Sequence, residues 1–63
     1  MDIALHHRSR AAEERAKAAA TPLENRRAMY LRSAAMWDEM AAAVEDTAAR
    51  SAVNAAAKAA ASR

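Results

Sequence analysis

The side chains in this sequence that could do chemistry are few and scattered. The two histidines are His6 and His7, and Asp2 precedes His6 by four residues. On a helix that spacing places Asp2 and His6 on one face, but two ligands do not complete a metal site. Adjacent histidines also point about 100° apart on a helix. We therefore expect no metal ion and no cofactor, and we interpret the histidines as a solvated pair near a helix start.

Nucleophiles and acid–base pairs show no arrangement that an enzyme would need. The serines are dispersed along the chain at Ser9, Ser33, Ser51 and Ser62. The adjacent acids Asp38-Glu39 and Glu45-Asp46 are expected on the solvated side of a helix. Glycine is absent, which removes the glycine-rich loops that bind phosphates. The sequence thus predicts a protein that is not an enzyme.

Arginines are the remaining polar group of interest, because they could contact phosphates. The ones considered are Arg8, Arg15, Arg26, Arg27 and Arg32. The net charge is only +2, whereas nucleic-acid-binding domains usually carry a stronger basic stripe. A helix-turn-helix reader also needs a third helix to support its recognition helix. A small nucleic-acid-associated protein is therefore the alternative interpretation and not the leading one.

Composition points to long helices in one small domain, residues 1–63. Hydrophobic residues make up 54% of the chain, most of them alanine, and proline occurs once. No cysteine is present, so neither disulfides nor thiolates can stabilise so short a chain, and self-association is the means left. No apolar run is long enough for a membrane span or a signal peptide. These features predict a cytoplasmic protein that does not enter a membrane.

One strong break divides the chain into two helices. Asp2 is an N-cap candidate for a first helix over about residues 2–20. Thr21 and Glu24 form a capping-box pattern, and Pro22 would occupy the first position of the second helix. The sequence therefore predicts an all-α antiparallel hairpin with its turn at residues 20–22. The second helix is predicted over about residues 22–61, fraying after about residue 47 and broken near residues 51–54.

An apolar stripe along the second helix predicts the face that packs. Leu23, Tyr30, Trp37 and Val44 recur every seven residues. On the first helix Leu5 and Ala12 are also seven apart, so Ala12 is expected beside Tyr30 and Leu5 near Trp37. The predicted core or protein interface comprises Leu5, Ala12, Leu23, Tyr30, Met36, Trp37, Met40 and Val44.

The segment at residues 21–41, TPLENRRAMYLRSAAMWDEMA, resembles a segment of short alanine-rich bacterial α-helical hairpin proteins of uncharacterised function. In those proteins an alanine-rich first helix and a Leu-Glu-Asn-like turn precede a helix with a Tyr-Leu…Ala…Trp…Met-Ala pattern. The resemblance implies a helical hairpin and no particular activity.

The apolar face is too large for the short first helix to cover, and this motivates a functional hypothesis. We expect a small interaction or adaptor module that binds an unidentified protein, a second copy of itself, or both. Self-association through the face of Leu23, Tyr30, Trp37 and Val44 would give an antiparallel dimer with a short four-helix bundle.

Overall fold

The computed structural model describes residues 2–62, which form two α-helices packed as an antiparallel hairpin. Helix α1 runs over Ile3–Ala20 and helix α2 over Glu24–Ala61, with 18 and 38 residues respectively. The molecule measures 62 × 19 × 10 Å because α2 extends well past α1. The all-α hairpin with a longer second helix that the sequence predicts is confirmed.

Both ends of α1 follow from local sequence. Oδ1 of Asp2 accepts a hydrogen bond from the Leu5 backbone N–H at 3.1 Å, so Asp2 is the N-cap, as predicted. At the other end the Thr21 N–H donates to the Lys17 carbonyl at 3.1 Å. Thr21 itself is extended, with ψ at 135°, because a residue that precedes proline avoids helical dihedral angles. The first helix therefore ends at Ala20.

The turn comprises residues 21–23 and differs from the predicted capping box. The Thr21 hydroxyl accepts a hydrogen bond from the Leu23 N–H at 3.2 Å. Leu23 is extended and serves as the N-cap of α2 without a side-chain hydrogen bond, so Pro22 lies before the helix. The predicted start at Pro22 is wrong, because Thr21 bonds to the nearest N–H and leaves Leu23 outside the helix. A side-chain N–H of Arg27 donates to the Thr21 carbonyl at 3.0 Å and joins α2 to the end of α1.

Alanine forms the contact between the two helices. The buried alanines are spaced by seven residues on each helix: Ala4, Ala11 and Ala18 on α1, Ala34 and Ala41 on α2. Such small side chains allow the two backbones to approach closely. This corrects the predicted register, because Leu5 and Ala12 are exposed and the buried row lies one residue earlier. One residue corresponds to a rotation of about 100° around the helix.

The rotation of α1 has a steric reason and a polar consequence. A leucine in the row of Ala4, Ala11 and Ala18 would hold the helices apart, whereas alanine does not. The same rotation buries Glu14, which is 6% exposed. A carboxylate oxygen of Glu14 lies 3.3 Å from Nζ of Lys17, so the buried acid has a charged partner one turn away.

Beyond α1, helix α2 continues as a single helix. Residues 46–61, here called the α2 tail, are all exposed. The helix passes through residues 51–54 without the predicted break, because this stretch contains neither glycine nor proline. Fraying of the tail stays a prediction. Neither helix is long and apolar enough to cross a membrane over the part of the chain described.

Candidate interaction surface

A cluster of rings joins the start of α1 to the middle of α2. The His7 and Trp37 ring centroids are 5.3 Å apart, and His6 meets the same indole edge-on at 6.3 Å. The Arg10 guanidinium carbon lies 5.2 Å from the Trp37 centroid, within range of a cation–π interaction. The prediction of a solvated histidine pair is wrong for His7, which is half-buried because α1 turns this side towards Trp37.

The predicted stripe on α2 is directed towards α1 over most of its length. Tyr30, Trp37 and Val44 are half-buried, and Nζ of Lys17 lies 5.9 Å from the Tyr30 centroid. Leu23 departs from this pattern and is exposed, because it belongs to the turn and not to α2. These three residues therefore form the flank of the hairpin core that also holds the histidines.

Ion pairs occupy the opposite flank. Arg8 binds Glu45 and also approaches Asp38, with Nη1 and Oδ1 at 3.8 Å, while Arg15 binds Asp38. The predicted solvated position is wrong for Asp38, whose side chain is 33% exposed; Glu45 is exposed as predicted, and both acids are paired with arginines of α1. Their pairing left a signal in the sequence: the two arginines are seven apart, and so are the two acids. Antiparallel helices bring two such pairs into register.

The arginines of the nucleic-acid alternative do not form one patch. Arg8 and Arg15 bind acids of α2, and Arg27 donates to the Thr21 carbonyl. Arg26 and Arg32 are about 120° apart around α2 at 100° per residue. A phosphate backbone would therefore meet dispersed and partly neutralised charges on this hairpin.

Three methionines form an exposed row on α2, here called the methionine face. Met29, Met36 and Met40 are 50%, 63% and 43% exposed. They fall within about 40° of one another around the helix and about 100–160° from the buried Ala34 and Ala41. Helix α1 therefore leaves them uncovered. No comparable row of large apolar side chains follows α1 within the described chain, where Ile3 and Leu5 are the exposed examples.

The eight residues predicted as core or interface therefore occupy four places. Tyr30, Trp37 and Val44 contribute to the hairpin core, and Met36 and Met40 belong to the methionine face; Leu23 is exposed in the turn, and Leu5 and Ala12 are exposed on α1. Leu5 and Ala12 lie on the flank of Arg8 and Arg15, away from the methionines, because α1 is rotated by one residue from its predicted register.

Neither a metal-binding cluster nor a similarity to known proteins helps to assign a function to this surface. Among residues 2–62, no three histidine, aspartate or glutamate side chains gather where they could hold a metal ion. The chain matches no protein-family model, no curated protein and no solved structure. The resemblance to alanine-rich bacterial hairpins therefore stays a prediction, and function has to be argued from the surface itself.

Proposed function

We propose that this chain is a small non-enzymatic protein-interaction module that binds through the methionine face of α2. The observation that carries the proposal is the exposure of Met29, Met36 and Met40 on one side of a helix whose other side is already packed. Contiguous exposed apolar side chains typically mark binding surfaces in water-soluble domains. Methionine suits such a surface, because its flexible thioether adapts to irregular partners.

The total surface of the chain supports a partner of ordinary size. A compact monomer of 6.8 kDa would expose about 4,000 Å² on the scaling that holds for folded monomers. This chain exposes 4943 Å², roughly 900 Å² more, while each partner in a standard interface buries about 800 Å². The methionine face and the α2 tail are parts of this surface that α1 does not cover.

A partner suited to this surface presents an apolar helix face, since a row of methionines along one side of a helix fits a second helix. A second copy of this chain is such a partner and is present whenever the protein is made. The proposed module therefore acts first on itself, and any further partner would bind the dimer or compete with it.

Sedimentation equilibrium over a wide range of concentration tests the proposal. The wild-type chain should reach the mass of a dimer or higher species, and Met36→Glu should remain a monomer with unchanged helicity by circular dichroism. Val53→Glu is the matched control, since Val53 is 68% exposed on the tail and lies outside the face. A wild-type chain that stays monomeric throughout, or a Met36→Glu variant that associates as the wild type does, would refute the proposal.

A further inference from the structure

We propose that two copies of this chain pair their α2 helices in antiparallel orientation, with Met36 of one copy beside Met36 of the other. This inference rests on the proposed function and specifies its geometry. Met36 is the most exposed of the three methionines, at 63%, and lies at the middle of the row by sequence. The two-fold axis of the proposed dimer passes beside Met36, so this residue would lose the most contact with solvent.

Two charged residues on the border of the methionine face fix the register. Arg32 and Glu39 are seven apart, lie on the side of the face away from Trp37, and make no ion pair within residues 2–62. The neighbouring charges differ, because Asp38 binds arginines of α1 and Asp46 binds Arg50 at 3.2 Å. An unpaired cation and an unpaired anion thus border the same apolar row.

Antiparallel pairing centred at Met36 satisfies both charges at once. Arg32 of each copy then lies beside Glu39 of the other, which gives two reciprocal ion pairs across the dimer. In a symmetric parallel pair the same border of the two helices falls on opposite sides of the interface, so Arg32 of one copy would not meet Glu39 of the other and both charges would stay without a partner. The charge pattern therefore selects the antiparallel arrangement.

The apolar row fits the same register. Met29 of one copy lies opposite Ala43 of the other, so a long side chain meets a small one at each end of the contact. Met40 lies opposite Arg32, whose aliphatic stem can cover it while the guanidinium reaches Glu39. The two-fold symmetry repeats each of these contacts, Met29 with Ala43 and Met40 with Arg32, on both sides of the central pair of Met36 side chains.

Helix α1 leaves room for this dimer. The methionine face is turned about 100–160° from the alanines that α1 covers, so each α1 packs on the outer side of its own α2. The overlap involves residues 24–48 of each α2, about 37 Å at 1.5 Å per residue. The remainder of each α2 tail projects past the turn of the other copy.

Single-cysteine variants test the register directly, because the natural chain contains no cysteine. Met36→Cys should oxidise to a disulfide-linked dimer, since its two copies face each other within bridging distance. Met29→Cys is the matched control at 50% exposure: its two copies lie about 21 Å apart along the axis and should stay unlinked. The double variant Met29→Cys/Ala43→Cys should restore the link.

The outcomes separate this inference from the proposed function. Equal linking of Met36→Cys and Met29→Cys would indicate parallel helices and overturn the inference. An unlinked Met36→Cys in a chain that still sediments as a dimer would overturn the register alone. A wild-type chain that remains monomeric would remove the dimer and the proposed function together.

Charge exchange provides an independent test of the two ion pairs. Arg32→Glu and Glu39→Arg should each weaken dimerisation by about tenfold, because each replaces two attractive contacts by two repulsive ones. The combined variant should recover the wild-type dissociation constant in sedimentation equilibrium. Failure of the combined variant to recover, with each variant still helical by circular dichroism, would refute the Arg32–Glu39 pairing.

Discussion

His7 of α1 packs its imidazole against the indole of Trp37 on α2, with the ring centroids 5.3 Å apart and the planes inclined by 42°. This contact joins the beginning of the first helix to the middle of the second. It also buries Nδ1 of His7, which has no hydrogen-bond partner among the described residues. The packing of this ring is therefore favourable, while the environment of its nitrogen is not.

Replacing His7 by phenylalanine should stabilise the hairpin. The ring would keep its place against Trp37, and a buried polar atom without a partner would be removed, a gain of up to about 1 kcal/mol in the free energy of unfolding. Thermal unfolding followed by circular dichroism measures the change as a higher Tm. His7→Ala, which removes the ring, should lower Tm. A His7→Phe variant less stable than the wild type would show that Nδ1 is bonded after all.

Adjacent alanines on α1 distinguish the observed register from the one that the sequence predicts. Ala11 is buried at 0% exposure and Ala12 is exposed. Ala11→Leu should cost about 1–3 kcal/mol through overpacking between the helices. Ala12→Leu should change stability by less than about 0.5 kcal/mol. Denaturant unfolding of the two variants makes the comparison, and the reverse order of stabilities would restore the predicted register.

Asp38 accepts a hydrogen bond from Arg15 and also forms an ion pair with Arg8, two turns earlier on α1, so Asp38→Asn should weaken the hairpin more than an ordinary surface substitution. Its carboxylate is partly exposed, and solvent screening limits the expected loss to about 1 kcal/mol or less. High salt should reduce the difference between variant and wild type. Asp46→Asn is the matched control, since Asp46 pairs only with Arg50 on its own helix. Equal effects of the two substitutions on Tm would show that the ion pairs of Asp38 with α1 do not stabilise the hairpin.

The elements of this fold were predictable because each depends on a local signal. Asp2 at the start of α1 and the Thr21-Pro22 break act on their own neighbours in the chain. The half-buried side of α2 was visible because Tyr30 and Trp37 are large and seven apart. Such signals do not depend on how the rest of the chain packs.

The packing of α1 was not predictable in the same way, because alanine carries little information about burial. Alanines occupy the buried position 11 and the exposed position 12 alike, so the choice between them was drawn from Leu5. The structure instead places Leu5 outside, since close approach of the helices requires the smaller Ala4. Charged residues spaced by seven, Arg8 and Arg15 against Asp38 and Glu45, would have indicated the correct register.

The candidate interaction surface was predicted in part. Met36 and Met40 belonged to the predicted interface, and their exposure on α2 is what the proposed function uses. The sequence did not separate them from Trp37, because a helical wheel cannot tell which part of a broad apolar face a neighbouring helix will cover. That division depends on the rotation of α1 about its own axis, which is set by the close packing of its buried alanines against α2.

Thermal unfolding at different protein concentrations tests most directly whether the methionine face binds a second copy. If folding and dimerisation are linked, Tm should rise steadily as the wild-type concentration is increased, because mass action favours the associated state. Met36→Glu should unfold at one temperature whatever its concentration, with the same helical spectrum before unfolding. A wild-type Tm that does not change with concentration would contradict the account, because the hairpin would then be stable without a partner on this face.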